Sequence, residues 1–205
     1  MSKKVKICGI KDSEMALFCA RTGADFIGLN FSPDSPRRID INTADSIMNA
    51  VKNTKIRTVF LFYRNSKEEI TEILTKLRPD YIQYITREWP DTSFLEKTGI
   101  PLIAAIQVRE QITDNELKKW PGEFYILDSY SKNEGGGTGE SFNYELVEKV
   151  TLPFLVAGGL NPENVAMAIA ASGAAGADVA SGVEIKKGIK DAGLTERFIQ
   201  NAKRK

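Results

Sequence analysis

Short apolar runs separated by polar, helix-like stretches recur along the whole chain. The runs are VKICGI (5–10), DFIGLNF (25–31), RTVFLFY (57–63), DYIQYI (80–85), PLIAAIQV (101–108), EFYILDS (123–129), PFLVAGG (153–159) and GADVASG (176–182). They are bounded by Gly, Pro and Asp, and several are rich in β-branched and aromatic residues, which predicts strands. Most are continuous rather than alternating in polarity, as parallel strands covered on both faces require. Between them, DSEMALFCARTG (12–23), NTADSIMNAVKN (42–53), SKEEITEILTKL (66–77), NPENVAMAIAASG (161–173) and LTERFIQNAKRK (194–205) carry apolar residues three to four positions apart, the spacing of one helix face. Asp12 or Ser13 caps the first and Gly23 ends it; Asn161 caps the fourth, with Pro162 at its first helical position and Gly173 at its end. Eight strands, each unit about 25 residues long, predict a single-domain (β/α)8 barrel over residues 1–205. An open doubly wound sheet is the alternative built from the same elements. No linker, low-complexity tract or composition shift divides the chain.

Composition narrows the chemistry rather than the fold. The 205 residues are 42% hydrophobic and 27% charged, with a formal net charge of +1, so nothing in the charge balance favours nucleic acid or an acidic membrane surface. The terminal NAKRK reads as a solvated helix end. No apolar stretch approaches the roughly 20 residues of a membrane span, and MSKKVKICGI is too short in apolar residues for a secretory signal; a cytoplasmic location is expected. Two cysteines, Cys8 and Cys19, make neither a disulfide framework nor a zinc pattern, and the chain has no histidine. No metal or other cofactor is therefore expected. No heptad or apolar stripe marks an interface, which leaves monomer and homodimer both open.

In such barrels the active site is assembled where strands end. Cys8 ends the first strand and is followed by Gly9; Phe31 ends the second, before SPDSPRRI (32–39) with Arg37 and Arg38; Asp128 closes the sixth. The loop after Asp128 runs into NEGGGTGESF (133–142), which contains Gly137. Gly158 and Gly159 lie between the seventh strand and a capped helix, and Ser181 and Gly182 follow the eighth. Glycines at successive strand ends let backbone N–H groups converge on an anion, and loops seven and eight are the usual phosphate site of this architecture. A phosphorylated small molecule is the expected partner, held by backbone donors because no lysine precedes Lys186 in these loops. A thiol on strand one and a carboxylate on strand six can then act as base and acid across the mouth. Cys19, with Met15 and Phe18 on one helix face, reads as core, and Trp89 and Trp120 read as packing.

Taken together, KICGI, FSPDSPRRI, LDS followed by GGTG, AGGLNPENV and DVASGVE…GIKD, in this order and over essentially the whole chain, resemble phosphoribosylanthranilate isomerase, a (β/α)8 enzyme of tryptophan biosynthesis. The resemblance implies an Amadori rearrangement of N-(5-phosphoribosyl)anthranilate to 1-(2-carboxyphenylamino)-1-deoxyribulose 5-phosphate. It implies Cys8 as the base at ribose C2′, Asp128 as the acid at the ring oxygen, and Arg37 on the anthranilate carboxylate. Gly158, Gly159, Ser181 and Gly182 would hold the phosphate, with Gly137 nearby. The chain departs from the pattern at Ile85, where the family usually has histidine two residues after Gln83. Asn30 replaces an apolar residue, Ala180 a polar one, and FNY stands at 142–144. These departures motivate two other readings: a related sugar-phosphate isomerase with a different aglycone, or a barrel that only binds a phosphorylated metabolite.

Overall fold

Each apolar run forms a strand in the computed structural model, which describes residues 2–85, 92–129 and 143–204. The strands are β1 (Lys4–Cys8), β2 (Phe26–Asn30), β3 (Arg57–Phe62), β4 (Tyr81–Ile85), β5 (Leu102–Val108), β6 (Phe124–Ser129), β7 (Phe154–Ala157) and β8 (Gly176–Val179). All neighbours are parallel and follow chain order. The sheet closes because β1 pairs with β2 on one side and with β8 on the other, Lys6 lying in register with both Phe26 and Asp178. The expected closed barrel is therefore observed, and the open sheet is excluded.

The helices α1 (Ser13–Thr22), α2 (Ile41–Val51) and α3 (Lys67–Lys76) begin where a short polar side chain takes an orphan N–H. Asp12 accepts from Met15 N at 2.8 Å, Asp40 from Thr43 N at 2.7 Å, and Ser66 from Glu69 N at 3.1 Å. Two single-turn helices, α4 (Ser93–Glu96) and α5 (Asp114–Leu117), were not predicted, nor was the 3-10 turn Tyr144–Val147 after β6. The helix expected from Pro162 is shorter: α6 is Val165–Ser172. Asn161 still ends the preceding loop, its side-chain oxygen accepting from the N–H groups of Glu163 and Asn164, but residues 162–164 form a turn rather than a helical first turn. After β8 a further unpredicted element, the antiparallel hairpin β9 (Glu184–Lys186) and β10 (Ile189–Lys190), precedes α7 (Ala192–Lys203), which Asp191 caps.

Two apolar cores result. One fills the space between the strands and the helices and includes Cys19, fully buried as expected, with Trp120 packed against it. The other lies inside the barrel, built from Val59, Ile103, Ala105, Ile126, Leu155 and Ala157. Its floor is the cluster Phe26, Tyr81 and Phe124, with ring centroids 5.8, 5.5 and 5.5 Å apart. Because side chains alternate along a strand, the residues two and four positions beyond this floor face the same interior and end at the mouth.

Candidate active site

Cys8 is the last residue of β1, buried, and its sulfur shares the interior with Lys6 two residues earlier. Lys6 is fully buried inside the barrel, and its Nζ donates to Asp178 Oδ1 on β8 at 2.9 Å. Burial works to lower the lysine's pKa, but Asp178 and then Cys8 outweigh it, so the ammonium is held above its ordinary range. Gly28 sits in register with Cys8, and a Cβ there would lie 2.8 Å from Cys8 Sγ and 3.2 Å from Lys6 Nζ. The missing side chain is the room that the thiol and the ammonium occupy.

A second charged cluster closes over the same cysteine. Gly9 has φ +80°, and a Cβ on it would fall 2.5 Å from Arg37 Cδ, so the arginine's stem lies directly across the turn that follows Cys8. The Arg37 fork then meets Glu184 of the hairpin, Nε to Oε1 at 2.7 Å and Nη2 to Oε2 at 2.9 Å. Lys190 Nζ completes the group with bonds to Glu184 Oε1 at 2.9 Å and Ala180 O at 2.8 Å. Lys6, Arg37 and Lys190 all interact electrostatically with Cys8. Three cations and two carboxylates thus surround the thiol. Arg38 turns away, pairing with Glu69 at 2.9 Å on the exposed side, which leaves Arg37 as the arginine beside Cys8.

Burial works to raise the Glu184 pKa, yet the hydrogen bonds from Arg37 and Lys190 dominate and hold it at about 2, against an ordinary 4.5. A depressed carboxyl contributes stability that is present above its unfolded pKa and lost as pH falls through the folded one. Urea midpoints of wild type and Glu184→Gln should therefore differ most near neutral pH and converge between about pH 4.5 and pH 2. A gap that stays constant down to pH 2 would contradict the network.

Asp128 lies on β6 two residues beyond Ile126, hence on the interior face, half-buried and in register with Gln107 and Ala157. β6 is three strands from β1, so the carboxyl and the thiol approach the mouth from opposite sides. Between them the structure adds two groups that sequence reasoning did not place in the site. Gln83 on β4 and Gln107 on β5 have buried side-chain oxygens with no hydrogen-bond partner among the described residues. Asn30 closes a turn at the end of β2, accepting from Ser32 N at 2.8 Å. Ile85, in place of the family's usual histidine, packs against the interior apolar cluster.

The loops after β7 and β8 meet. Gly158 and Gly159 have φ of +93° and +63°. A Cβ on Gly182 would lie 1.7 Å from Leu160 O, so only glycine lets these two loops touch backbone to backbone. Ser181 opens the short 3-10 turn Ser181–Val183 and is exposed. The predicted set Gly158, Gly159, Ser181 and Gly182 is thus brought together, whereas Gly137 and Trp89 lie outside the described residues. Lys6, Asp178, Glu184 and Lys190 were missed. Lys6 is legible afterwards, because it shares its strand face with Cys8. Among the described residues no group of three or more His, Cys, Asp or Glu could hold a metal ion, and no helix is long and apolar enough to cross a membrane.

Comparison with known proteins agrees with this geometry. The family model for N-(5'phosphoribosyl)anthranilate (PRA) isomerase matches residues 5–201. An N-(5'-phosphoribosyl)anthranilate isomerase from Leptospira interrogans is 48% identical over 204 residues, covering 98% of this chain and 94% of the relative. The crystal structure of phosphoribosyl anthranilate isomerase from Thermotoga maritima superposes with a TM-score of 0.81 at 30% identity, covering 98% of each chain. A further solved isomerase, in complex with reduced 1-(o-carboxyphenylamino)-1-deoxyribulose 5-phosphate, matches with a TM-score of 0.77 at 28% identity, again over 98% of each chain. With the barrel, the strand-one cysteine and a match over nearly its full length, the chain belongs to the N-(5'-phosphoribosyl)anthranilate isomerase family, the isomerases of tryptophan biosynthesis.

Proposed function

We propose that the chain rearranges N-(5-phosphoribosyl)anthranilate to 1-(2-carboxyphenylamino)-1-deoxyribulose 5-phosphate with Cys8 as general base and Asp128 as general acid. The observation that carries this reading is Cys8 at the barrel mouth, beside Lys6 and Arg37, in a chain without histidine. Asp128, protonated, delivers its proton to the furanose ring oxygen. The C1′–O bond breaks as the anilino nitrogen donates its lone pair, giving an open-chain iminium ion. Cys8 then removes the C2′ proton, and the resulting enolamine tautomerises to the ketone. No electrons leave the substrate, so two proton-transfer groups suffice.

The surrounding residues take binding roles. Glu184 occupies the Nε–Nη2 side of Arg37, and the end-on edge, Nη1 with the second hydrogen of Nη2, suits the anthranilate carboxylate. Backbone N–H groups of Gly158, Gly159, Ser181 and Gly182 hold the phosphate, with Gly137 in the same role. Gln83 and Gln107 offer to ribose hydroxyls buried acceptors that have no partner among the described residues. The relative bound to reduced 1-(o-carboxyphenylamino)-1-deoxyribulose 5-phosphate supports a ligand of this class. The reading treats the chain as one barrel domain acting in the cytoplasm, as monomer or homodimer, without cofactor or nucleic acid.

Freshly prepared N-(5-phosphoribosyl)anthranilate should lose its fluorescence on incubation with the folded protein, with the ketose product identified by mass and reduction. Turnover of other N-substituted phosphoribosylamines, but not of this one, would overturn the substrate assignment.

A further inference from the structure

Arg37 is held on two sides before any ligand arrives. Its stem rests on Gly9, and both Nε and Nη2 are engaged by a carboxylate that is itself tied down. Glu184 has a side chain only 4% exposed, and Lys190, whose side chain is 3% exposed, bonds both Glu184 and the carbonyl of Ala180 at the end of β8. A lone arginine at a barrel mouth has many rotamers to lose on binding. This one is left a single presented edge.

We infer that Glu184 is the positioning residue for aglycone recognition: by holding the side-on edge of Arg37, it fixes the end-on edge for an ortho-carboxylate on the substrate's aromatic ring. The inference rests on the proposed reaction and adds its specificity determinant. A guanidinium offers two bidentate edges, and two carboxylates compete for it unless each is assigned its own. Glu184 makes that assignment, and Lys190 offsets its charge so that the arginine remains available to a second anion. The hairpin β9–β10, which carries both residues, is thus part of the binding apparatus.

The test compares N-(5-phosphoribosyl)anthranilate with N-(5-phosphoribosyl)aniline, which lacks the carboxylate, in wild type and Glu184→Gln. Wild type should prefer the carboxylated substrate in kcat/KM, and Glu184→Gln should cut that preference by about tenfold or more, mainly through KM, as expected for a misaligned charge-assisted contact. Glu184→Asp keeps a charge for Lys190 but withdraws it by one methylene. It should lower the preference in the same direction, and it carries the test if Glu184→Gln does not fold. Equal losses on both substrates would show a structural role only and overturn the inference. A folded wild type that turns over neither substrate would instead remove the reaction assignment beneath it.

Discussion

Replacing Cys8 by serine should lower kcat by about a thousandfold without disturbing the fold. The substitution is nearly isosteric in a site where a single added carbon on Gly28 would collide with the sulfur, so loss of activity through repacking is not expected. What changes is the acidity of the group. A hydroxyl is far less readily ionised than a thiol, and with no histidine in the chain there is no neighbouring imidazole to take its proton. Asp128→Asn should cost a comparable factor, because a carboxamide cannot deliver a proton to the ring oxygen. In the proposed reaction the two groups act in sequence on one substrate, so the double variant should be little worse than either single one. KM should move little in each. Retention of a tenth or more of wild-type kcat by either folded variant would remove that residue from its role.

The second large effect concerns folding. Lys6→Met should destabilise the protein by about 3–5 kcal/mol, the range for breaking a buried ion pair on one side only. The lysine side chain is fully buried, and Asp178, only 11% exposed, would be left without its partner in an apolar interior. Removing both charges together, as Lys6→Met with Asp178→Leu, should restore most of the lost stability, since two apolar groups can pack where two ions were paired. Activity should not return with it. The double variant still lacks the ammonium that interacts with Cys8, and the readout therefore separates a scaffold role from an electrostatic one. Urea midpoints and kcat measured on the same three proteins decide the matter. A double variant no more stable than Lys6→Met would show that the pair is not the source of the cost.

The elements that were legible in the sequence are those whose pattern is long enough to repeat. Eight short apolar runs, most of them continuous, predicted eight buried parallel strands, each within three residues of its observed ends. The helices with two or more turns showed their apolar faces. The single-turn helices α4 and α5 contain too few residues to display any period, and EIKKGIK carries a hairpin in a stretch with the polarity of a loop. Within the site, Cys8 was visible through its place at a strand end and the family pattern around it, since a cysteine in an apolar strand is by itself ordinary packing. The paired glycines were visible because successive glycines bring no side chain to pack. Lys6 was not, because a lysine in a strand ordinarily faces solvent. Its burial follows from barrel closure, which no local window contains. Glu184 and Lys190 stayed hidden for a related reason: their meaning comes from Arg37, a loop residue far away in the chain.

That distance has a consequence for how the molecule is made. The Lys6–Asp178 contact joins residues 172 positions apart, and Arg37–Glu184 joins residues 147 apart. Both cross the seam where the last barrel strand docks on the first. A chain still emerging from the ribosome, with its first seven strands translated, carries Cys8 but none of Asp178, Glu184 or Lys190. The charged surroundings of Cys8 are therefore completed only when the C-terminal part of the barrel is released and β8 closes on β1.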